Sequence, residues 1–422
     1  MLKKIGLISI ANAITSVGGY LLLPVYLGLM TQKEFGEFSF IVSVMAPFSL
    51  IIHLSLYVPF IRNFCADKSN DLIRSELVST VFNSLFIWLI IVDLFLLLAK
   101  PLLIEVYIGF FNISNFANEK YYLVLLSLNT GLILLYCYSL LMSKKNTQAI
   151  IVFTLTRFVF VSASSLIFIY FNLLGQESVL NRLFGVFIAE LLVALAYLFV
   201  YVRPYISLKI NLSVLGDQLK IALPLIPSGL IGLLIVAIDR SLITEYYGLK
   251  ELANYNLAMM VLLPLQMVMT ATQVTWAPHL FSLKDAKDAM RQTIKVMKIA
   301  LFFMIISAPL MSLAIYLALI YNFIGSEYSV VPKIIIYASI GFIASILLQL
   351  NNNMFVYLKK TKYQFGIGLM ILLINLSVNI ALIPNYSFYG ATIAAGLANL
   401  TGLVVGLLLL IRMTKNKRGG HA

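Results

Sequence analysis

The sequence contains little charge. Only 11% of its 422 residues are Asp, Glu, Lys or Arg, against roughly a quarter in soluble domains. Hydrophobic residues make up 61% of the chain. A soluble protein of this length could not bury so much apolar surface, so the composition excludes that class. It predicts a polytopic membrane protein instead.

Cysteine and histidine are also scarce, with two and three copies respectively. Cys65 and Cys137 match no metal-ligand or redox spacing and imply no disulfide framework. The sequence also lacks a phosphate-binding loop and a catalytic triad signature. We therefore expect no cofactor and no metal site.

Long apolar runs are what the sequence has in abundance. Each is about 20 residues long, enough to cross the hydrocarbon core of a bilayer as a helix. The connections are short, the longest running from 277 to 297, so none can hold a folded extramembrane domain. The first run has no small-residue cleavage site and is interpreted as a retained helix. Twelve spans are predicted: 5–29, 36–60, 77–99, 120–142, 148–171, 182–202, 219–243, 252–276, 298–320, 333–357, 363–383 and 389–411.

The excess of basic over acidic residues, 30 against 17, gives a formal charge of +13. In a soluble protein this would suggest nucleic acid. Here most basic residues fall in the connections on the side of both termini, which predicts cytoplasmic termini by the positive-inside rule. The charge also favours contact with anionic lipid head groups, and nucleic acid is not an expected partner. The basic residues predicted on the outer side are Lys33, Lys100, Lys120, Arg182, Lys250 and Lys333.

Two short patterns recur along the chain. Residues 33–35 (Lys-Glu-Phe) match 250–252 (Lys-Glu-Leu), and 185–189 resemble 390–394. Six predicted spans separate the partners of each match, so the two halves share one orientation, as in transporters built from parallel repeats. The fold class predicted is an all-α bundle of two pseudo-symmetric six-helix lobes. The predicted units are an N-terminal lobe over 1–205, a C-terminal lobe over 206–411 and a short basic cytoplasmic tail over 412–422.

Six ionisable side chains fall well inside the predicted spans. Charges in hydrocarbon are costly and usually face an interior cavity. Arg157 is the most informative, because arginine keeps its charge and can hold a phosphate through two parallel hydrogen bonds. The alternative is an arginine that extends to the inner head groups. The six are His53, Asp93, Arg157, Glu190, Asp239 and Arg240.

The acidic residues of this set and His53 each have two interpretations. Asp93 and Glu190 could bind a coupling ion or a proton, or could pair with Arg157. His53 could titrate or take part in gating, but a lone histidine is more often a hydrogen-bonded interior residue.

Arg240 could form a second anion site, with Asp239 orienting it. Neighbouring helical residues point about 100° apart, so the two are not expected to pair with each other directly. The alternative is an interfacial pair at the mouth of the helix.

Uncharged polar residues also follow helical spacing. Gln266, Thr270 and Gln273 share one helix face, and Asn375 and Asn379 form a similar pair. Such groups suit sugar hydroxyls, but they also serve as ordinary hydrogen bonds between membrane helices.

Three stretches carry a resemblance to a known family. The first is 23–27 (Leu-Pro-Val-Tyr-Leu) followed by 35–38, the second is 223–227 with 239–243, and the third is 375–384. Their order and spacing resemble the polysaccharide exporters of the multidrug/oligosaccharidyl-lipid/polysaccharide (MOP) superfamily, specifically the O-antigen flippases.

The resemblance implies a V-shaped twelve-helix bundle like that of MATE transporters. It implies translocation of undecaprenyl-pyrophosphate-linked repeat units of O-antigen or capsule, with a proton or sodium gradient as the candidate driving force. By the same resemblance, Arg157 and Arg240 would bind the pyrophosphate in a cationic central cavity. The protein would lie in the bacterial inner membrane, function as a monomer beside the polysaccharide polymerase machinery, and not be an enzyme.

Three alternatives have distinct expectations. A drug or cation antiporter of the same superfamily should carry acidic residues for its substrate, and the first predicted span has none. A major-facilitator transporter should show a glycine-and-basic loop, which 62–76 lacks. A membrane-embedded glycan polymerase or ligase usually carries a large outer loop, and no connection is long enough.

Overall fold

The structure is a computed structural model that describes residues 2–66, 71–111, 118–207, 210–283 and 285–416. Over these residues the chain is almost wholly helical and forms no β-strand. The chain divides into two compact units, Met1–Leu230 and Ile231–Ala422. The lobe limits at 205 and 411 stay predictions, and residues 417–422 of the predicted tail lie outside the described part of the chain.

The first unit is built from long apolar helices and two short ones. A π-helical turn (Leu198–Val202) and a 3-10 turn (Arg203–Tyr205) follow α7, and another 3-10 turn (Leu223–Leu225) follows α8. The helices are α1 (Leu2–Leu29), α2 (Gln32–His53), α3 (Tyr57–Ala66), α4 (Asp71–Phe111), α5 (Asn118–Ser143), α6 (Thr147–Phe171), α7 (Ser178–Tyr197) and α8 (Leu212–Ala222).

Four α-helical stretches and one 3-10 turn (Ser326–Tyr328) follow in the rest of the described chain. The four stretches are α9 (Ile226–Ser282), α10 (Ala286–Ile320), α11 (Val331–Tyr357) and α12 (Thr361–Asn416). Both α9 and α12 consist of two helices joined at one non-helical residue. In α9 this residue is Gly248, whose φ of 82° suits only glycine without strain, and in α12 it is Ser387 with φ of 51°.

Ten helices among the described residues are long and apolar enough to cross a membrane. The apolar parts of α9 and α12 run over 42 and 54 residues. At 1.5 Å per residue each is far longer than the roughly 30 Å hydrocarbon core, so each supplies two crossings, one before and one after its break. The described chain thus holds twelve crossings, and the predicted all-α polytopic fold is confirmed.

One predicted membrane span, 36–60, is wrong because it is not one continuous helix. In the structure α2 ends at His53 and α3 begins at Tyr57. Leu54 and Ser55 between them have φ values of 50° and 51°, in the left-handed region. This conformation costs an L-residue roughly 1–2 kcal/mol, so neighbouring contacts must stabilise it.

A buried ion cluster ties three helices of the first unit together at one end. Lys120 of α5 is fully buried, and its Nζ lies 2.7 Å from Glu37 Oε1 on α2. It also pairs with Glu177, the residue that precedes α7. Glu34 of α2 accepts the backbone N–H of Ser178 at 3.0 Å, which satisfies one free donor at the start of α7. Lys120 is therefore a structural charge inside the protein.

The repeated glycines lie at close backbone contacts, Gly185 where α7 packs against α6 and Gly390 just after the break in α12. A Cβ at Gly185 would lie 2.7 Å from Ser165 Cα on α6, and one at Gly390 would lie 2.7 Å from the backbone of Ile383. Both sites therefore allow a backbone approach that any larger residue would prevent.

We expect Gly185→Ala to destabilise the first unit by roughly 1–3 kcal/mol, because the added methyl group must push α7 away from the α6 backbone. Gly28→Ala is the matched control, since nothing lies within 4 Å of its Cβ position. Thermal unfolding in detergent would compare the two variants. A Gly185→Ala protein as stable as the control would show that the close approach is not needed.

Candidate functional site

The first unit contains an open cavity of about 740 Å³ lined by residues of α1, α2, α5, α6 and α7. This volume is in the range of sites that hold a drug-sized ligand. Its wall is largely apolar, with a limited set of polar and charged side chains. They are Asn12, Thr15, Ser49, His53, Ser127, Tyr138, Thr154, Arg157, Ser162 and Glu190.

Arg157 and Glu190 form an ion pair on this wall. Arg157 Nε lies 3.1 Å from Glu190 Oε1, and Nη2 donates to the same oxygen. The glutamate side chain is 9% exposed, whereas 44% of the arginine side chain is exposed. Within the described residues Nη1 has no protein partner. The pair therefore presents free N–H donors to the cavity while the carboxylate behind them balances the charge.

This geometry combines two interpretations that the sequence left open. Arg157 lines the cavity, as a substrate-facing residue would, and Glu190 is its structural partner. Glu190 is therefore engaged by a fixed cation. The other candidate acid of this unit, Asp93, accepts a hydrogen bond of 2.8 Å from Asn129 Nδ2 and does not line the cavity.

His53 lines the same cavity from the end of α2. Its Nδ1 accepts the backbone N–H of Ser55 at 3.0 Å. Two side chains from other helices bind carbonyl groups at the helix break: Trp88 Nε1 donates to Ile52 O, and Tyr136 OH donates to His53 O, both at 2.9 Å. The carbonyl of His53 also accepts the backbone N–H of Leu56 at 3.2 Å. Because Nδ1 is the acceptor, a neutral His53 carries its hydrogen on Nε2.

In the second unit, Asp239 is buried and bound by uncharged groups. Asn379 Nδ2 donates to its Oδ1 at 2.6 Å, and Tyr255 OH donates to its Oδ2 at 3.1 Å. Asn379 also donates to Asn375 at 2.9 Å, so the predicted amide pair of this helix meets the carboxylate.

Arg240 has separate partners. Its Nε and Nη2 donate to Asn256 Oδ1 at 3.3 and 3.1 Å, and Nη1 donates to the carbonyl of Val236. No hydrogen bond joins it to Asp239 in the described chain, as expected for neighbouring positions on one helix. A role for Asp239 in orienting Arg240 stays a prediction. The two side chains project in different directions from adjacent helical positions.

The polar face of α9 forms an amide network with α11. Gln266 and Gln349 exchange hydrogen bonds of 3.2 and 3.0 Å, and Asn353 donates to Gln273 at 2.7 Å. Thr270 is exposed, and its hydroxyl donates to the backbone of Gln266. The amide contacts are hydrogen bonds between helices, which is one of the two interpretations that the sequence left open. Sugar binding by the same helix face stays a prediction.

Sequence reasoning missed several residues that shape these sites. Trp88 and Tyr136 hold the break beside His53, and Gln349 and Asn353 complete the amide network. Helical spacing within one span cannot reveal such partners, because each pairing joins spans far apart in the chain. For the buried Lys120 a signal existed: Lys120 and Glu37 lie at the same predicted membrane depth with opposite charge.

The sequence model of the family described as "Polysaccharide biosynthesis protein" matches residues 1–284. The chain belongs to this family. The predicted resemblance to polysaccharide exporters of the MOP superfamily is thereby confirmed at the level of the family. A comparison with curated protein sequences gave no match.

Solved structures with the same fold come from that superfamily. The lipid II flippase MurJ in an inward closed conformation is 16% identical, with 96% of this chain and 87% of that chain covered and a TM-score of 0.74. An inward-facing MATE-family multidrug resistance transporter of the MOP superfamily is 13% identical, with 97% and 100% covered and a TM-score of 0.71. A MOP superfamily transporter from Pyrococcus furiosus is 15% identical, with 98% and 96% covered and a TM-score of 0.61. The polysaccharide biosynthesis family member described here is thus a multi-pass membrane protein with a transporter fold.

Proposed function

We propose that the protein is a flippase that translocates undecaprenyl-pyrophosphate-linked oligosaccharide repeat units, the precursors of O-antigen or capsule. It moves them from the cytoplasmic to the periplasmic leaflet of the bacterial inner membrane by alternating access. The observation that supports this best is the Arg157 guanidinium, which exposes free donors to a cavity in the first unit. Family membership agrees with a glycan-linked cargo.

The chemistry of the pair suits a pyrophosphate. A guanidinium forms charge-assisted hydrogen bonds to phosphate oxygens, which are stronger than neutral ones. Glu190 keeps Arg157 from being an uncompensated charge when the cavity is empty. A dianionic head group can then bind the free edge of the guanidinium, and on its release the original pair remains. This allows the anion to bind and also to leave.

The cavity is large enough to hold only a part of the lipid-linked glycan. About 740 Å³ holds a drug-sized group, which corresponds to the pyrophosphate and the adjoining sugars. The polyprenyl chain would remain in lipid, where its transfer cost is lowest. Arg240 and the amides Gln266 and Gln273 of the second unit are proposed as further contacts for the glycan head group.

Several finer features belong to this proposal. Both termini are cytoplasmic, and the protein works as a monomer beside the polymerase machinery.

Translocation is driven by a proton or sodium gradient. Asp93 is the candidate carboxylate for the coupling ion, because it forms no salt bridge with a cationic side chain in the described chain, whereas Glu190 is bound to Arg157.

The second candidate function is an antiporter for organic cations, which the fold of the MATE transporters favours. An acid in the cavity of the first unit would have to hold the cation. The acidic residue that lines this cavity is Glu190, and it is already bound to Arg157. The ion pair therefore favours an anionic cargo.

Reconstituted transport distinguishes the two functions. Purified protein in liposomes should move a fluorescent pyrophosphate-linked lipid oligosaccharide between leaflets under an imposed ion gradient. It should not accumulate a fluorescent organic cation under the same conditions. Cation accumulation without movement of the lipid-linked glycan would contradict the flippase and support the antiporter.

A further inference from the structure

The break between α2 and α3 lies on the wall of the cavity. His53 ends α2 and lines the cavity, and the next two residues, Leu54 and Ser55, adopt left-handed backbone angles. Leucine rarely occupies this region, and strained backbone of this kind persists only when its surroundings hold it. The segment is therefore held under strain by identifiable contacts.

Three hydrogen bonds that involve side chains hold the break, in addition to backbone bonds from Leu54 N–H to Ile51 O and from Leu56 N–H to His53 O. Trp88 and Tyr136 donate to the carbonyl groups of Ile52 and His53, and neither donor changes its charge near neutral pH. The third bond differs, because the acceptor is the imidazole Nδ1 of His53 and the donor is the N–H of Ser55. Histidine is the side chain whose charge changes in the physiological range.

Protonation of His53 must remove this third bond. The neutral ring already carries hydrogen on Nε2, so an added proton binds Nδ1, the atom that accepts from Ser55. Two N–H groups then face each other. Ser55 is 4% exposed, so water cannot easily replace the lost acceptor. The bond that stabilises the left-handed segment therefore exists only in the neutral form.

Among the described residues, few charged groups lie on the helices around His53. Across the cavity, Arg157 of α6 and Glu190 of α7 neutralise each other. From α4, Asp93 is hydrogen-bonded to Asn129 of α5. The remaining groups are uncharged: Tyr57 of α3, whose ring meets His53 edge-on at 5.5 Å, Tyr136 of α5, Trp88 of α4, and Asn12 and Thr15 of α1 in the cavity wall.

We propose that His53 is a proton-binding site whose protonation releases the break at residues 54–55 and thereby reshapes the cavity wall. The conformational event stands on this geometry alone, whereas its link to transport rests on the proposed flippase function. As the proton reaches Nδ1, the strained segment loses the side-chain bond specific to it. Residues 52 and 53, which both line the cavity, change position with it.

The substitution His53→Asn separates the hydrogen bond from the proton. An asparagine amide oxygen accepts the N–H of the residue two positions on, as in an Asx turn, but it does not protonate near neutral pH. His53→Ala removes the acceptor altogether. The three proteins therefore represent a switchable bond, a permanent bond and no bond.

Hydrogen exchange of the amides of residues 54–58 in the purified full-length protein reports the break directly. At about pH 8 the wild type and His53→Asn should exchange alike. At about pH 5 the wild type should exchange about tenfold faster than His53→Asn, the factor that the loss of one buried hydrogen bond corresponds to. His53→Ala should exchange fast at both pH values. Equal exchange of wild type and His53→Asn at both pH values would overturn the proposal.

Transport measurements on the same proteins keep the two proposals distinguishable. In liposomes the rate of glycan-lipid flipping by the wild type should depend on pH between about 5 and 8, and this dependence should be lost in His53→Asn. A pH-dependent exchange at 54–58 with no flipping would retain the proton site and refute the flippase. Flipping with the same pH profile in wild type and His53→Asn would refute the role of His53 in transport.

Discussion

Replacing both members of the cavity ion pair, Arg157→Gln with Glu190→Gln, should reduce flipping of a pyrophosphate-linked glycan lipid by about 100-fold or more. Each hydrogen bond to a charged group contributes roughly 1.5–3 kcal/mol, and a pyrophosphate would lose at least two of them. The double variant is chosen because Arg157→Gln alone would leave Glu190, with its 9% exposed side chain, without a partner. The double variant leaves no unpaired carboxylate, so a loss of transport would report the missing guanidinium.

Two further variants sharpen this test. Arg157→Lys keeps the charge but loses the planar fork of donors, so we expect an intermediate rate. Lys220→Gln with Asp217→Gln is the matched control, because it removes an exposed ion pair outside the cavity. Initial rates in liposomes and thermal stability in detergent should be measured together. Wild-type flipping by the cavity double variant would remove Arg157 from the proposed mechanism.

The variant Lys120→Met should be among the least stable single substitutions in the first unit. Lys120 is fully buried, and its removal leaves the Glu37 carboxylate, 10% exposed, without its cation. Breaking a buried pair in this way typically costs about 3–5 kcal/mol. The melting temperature should fall well below that of Lys220→Met, where the lysine side chain is 80% exposed.

Compensation should identify the cause of this instability. Adding Glu37→Gln to Lys120→Met removes the orphaned charge, so most of the lost stability should return. If the double variant melts as low as Lys120→Met, packing around the lysine stem and not its charge would be responsible. If Lys120→Met melts like Lys220→Met, the ion cluster would contribute nothing.

The membrane crossings could be predicted from the sequence because the bilayer imposes them. An apolar run must be about 20 residues long to span the hydrocarbon core, so the twelve runs correspond closely to the helices, including both halves of α9 and α12. The break after His53 could not be predicted in this way. Residues 53–56 (His-Leu-Ser-Leu) contain no glycine or proline, and the contacts that hold the break come from Trp88 and Tyr136 on other helices.

The candidate site could likewise be predicted only in part: its charged residues could be identified from the sequence, but their partners could not. The cost of charge in hydrocarbon singled out Arg157 and Glu190, and the structure places both on one cavity wall. The sequence could not decide that Glu190, and not Asp93, is the partner of Arg157, because this depends on how α6 packs against α7. Likewise Asp239 meets Asn379, which lies far along the chain.

The most direct test of the central claim is to locate the cargo in the cavity by photocrosslinking. A benzophenone amino acid at Val161, which lines the cavity, should crosslink a radiolabelled pyrophosphate-linked glycan lipid in a saturable manner. Excess unlabelled substrate should compete it away, and the Arg157→Gln/Glu190→Gln background should abolish it. The same probe at Val404, which is 52% exposed on α12, should give no saturable crosslink. A protein that flips the lipid with no saturable crosslink at Val161 would contradict the account.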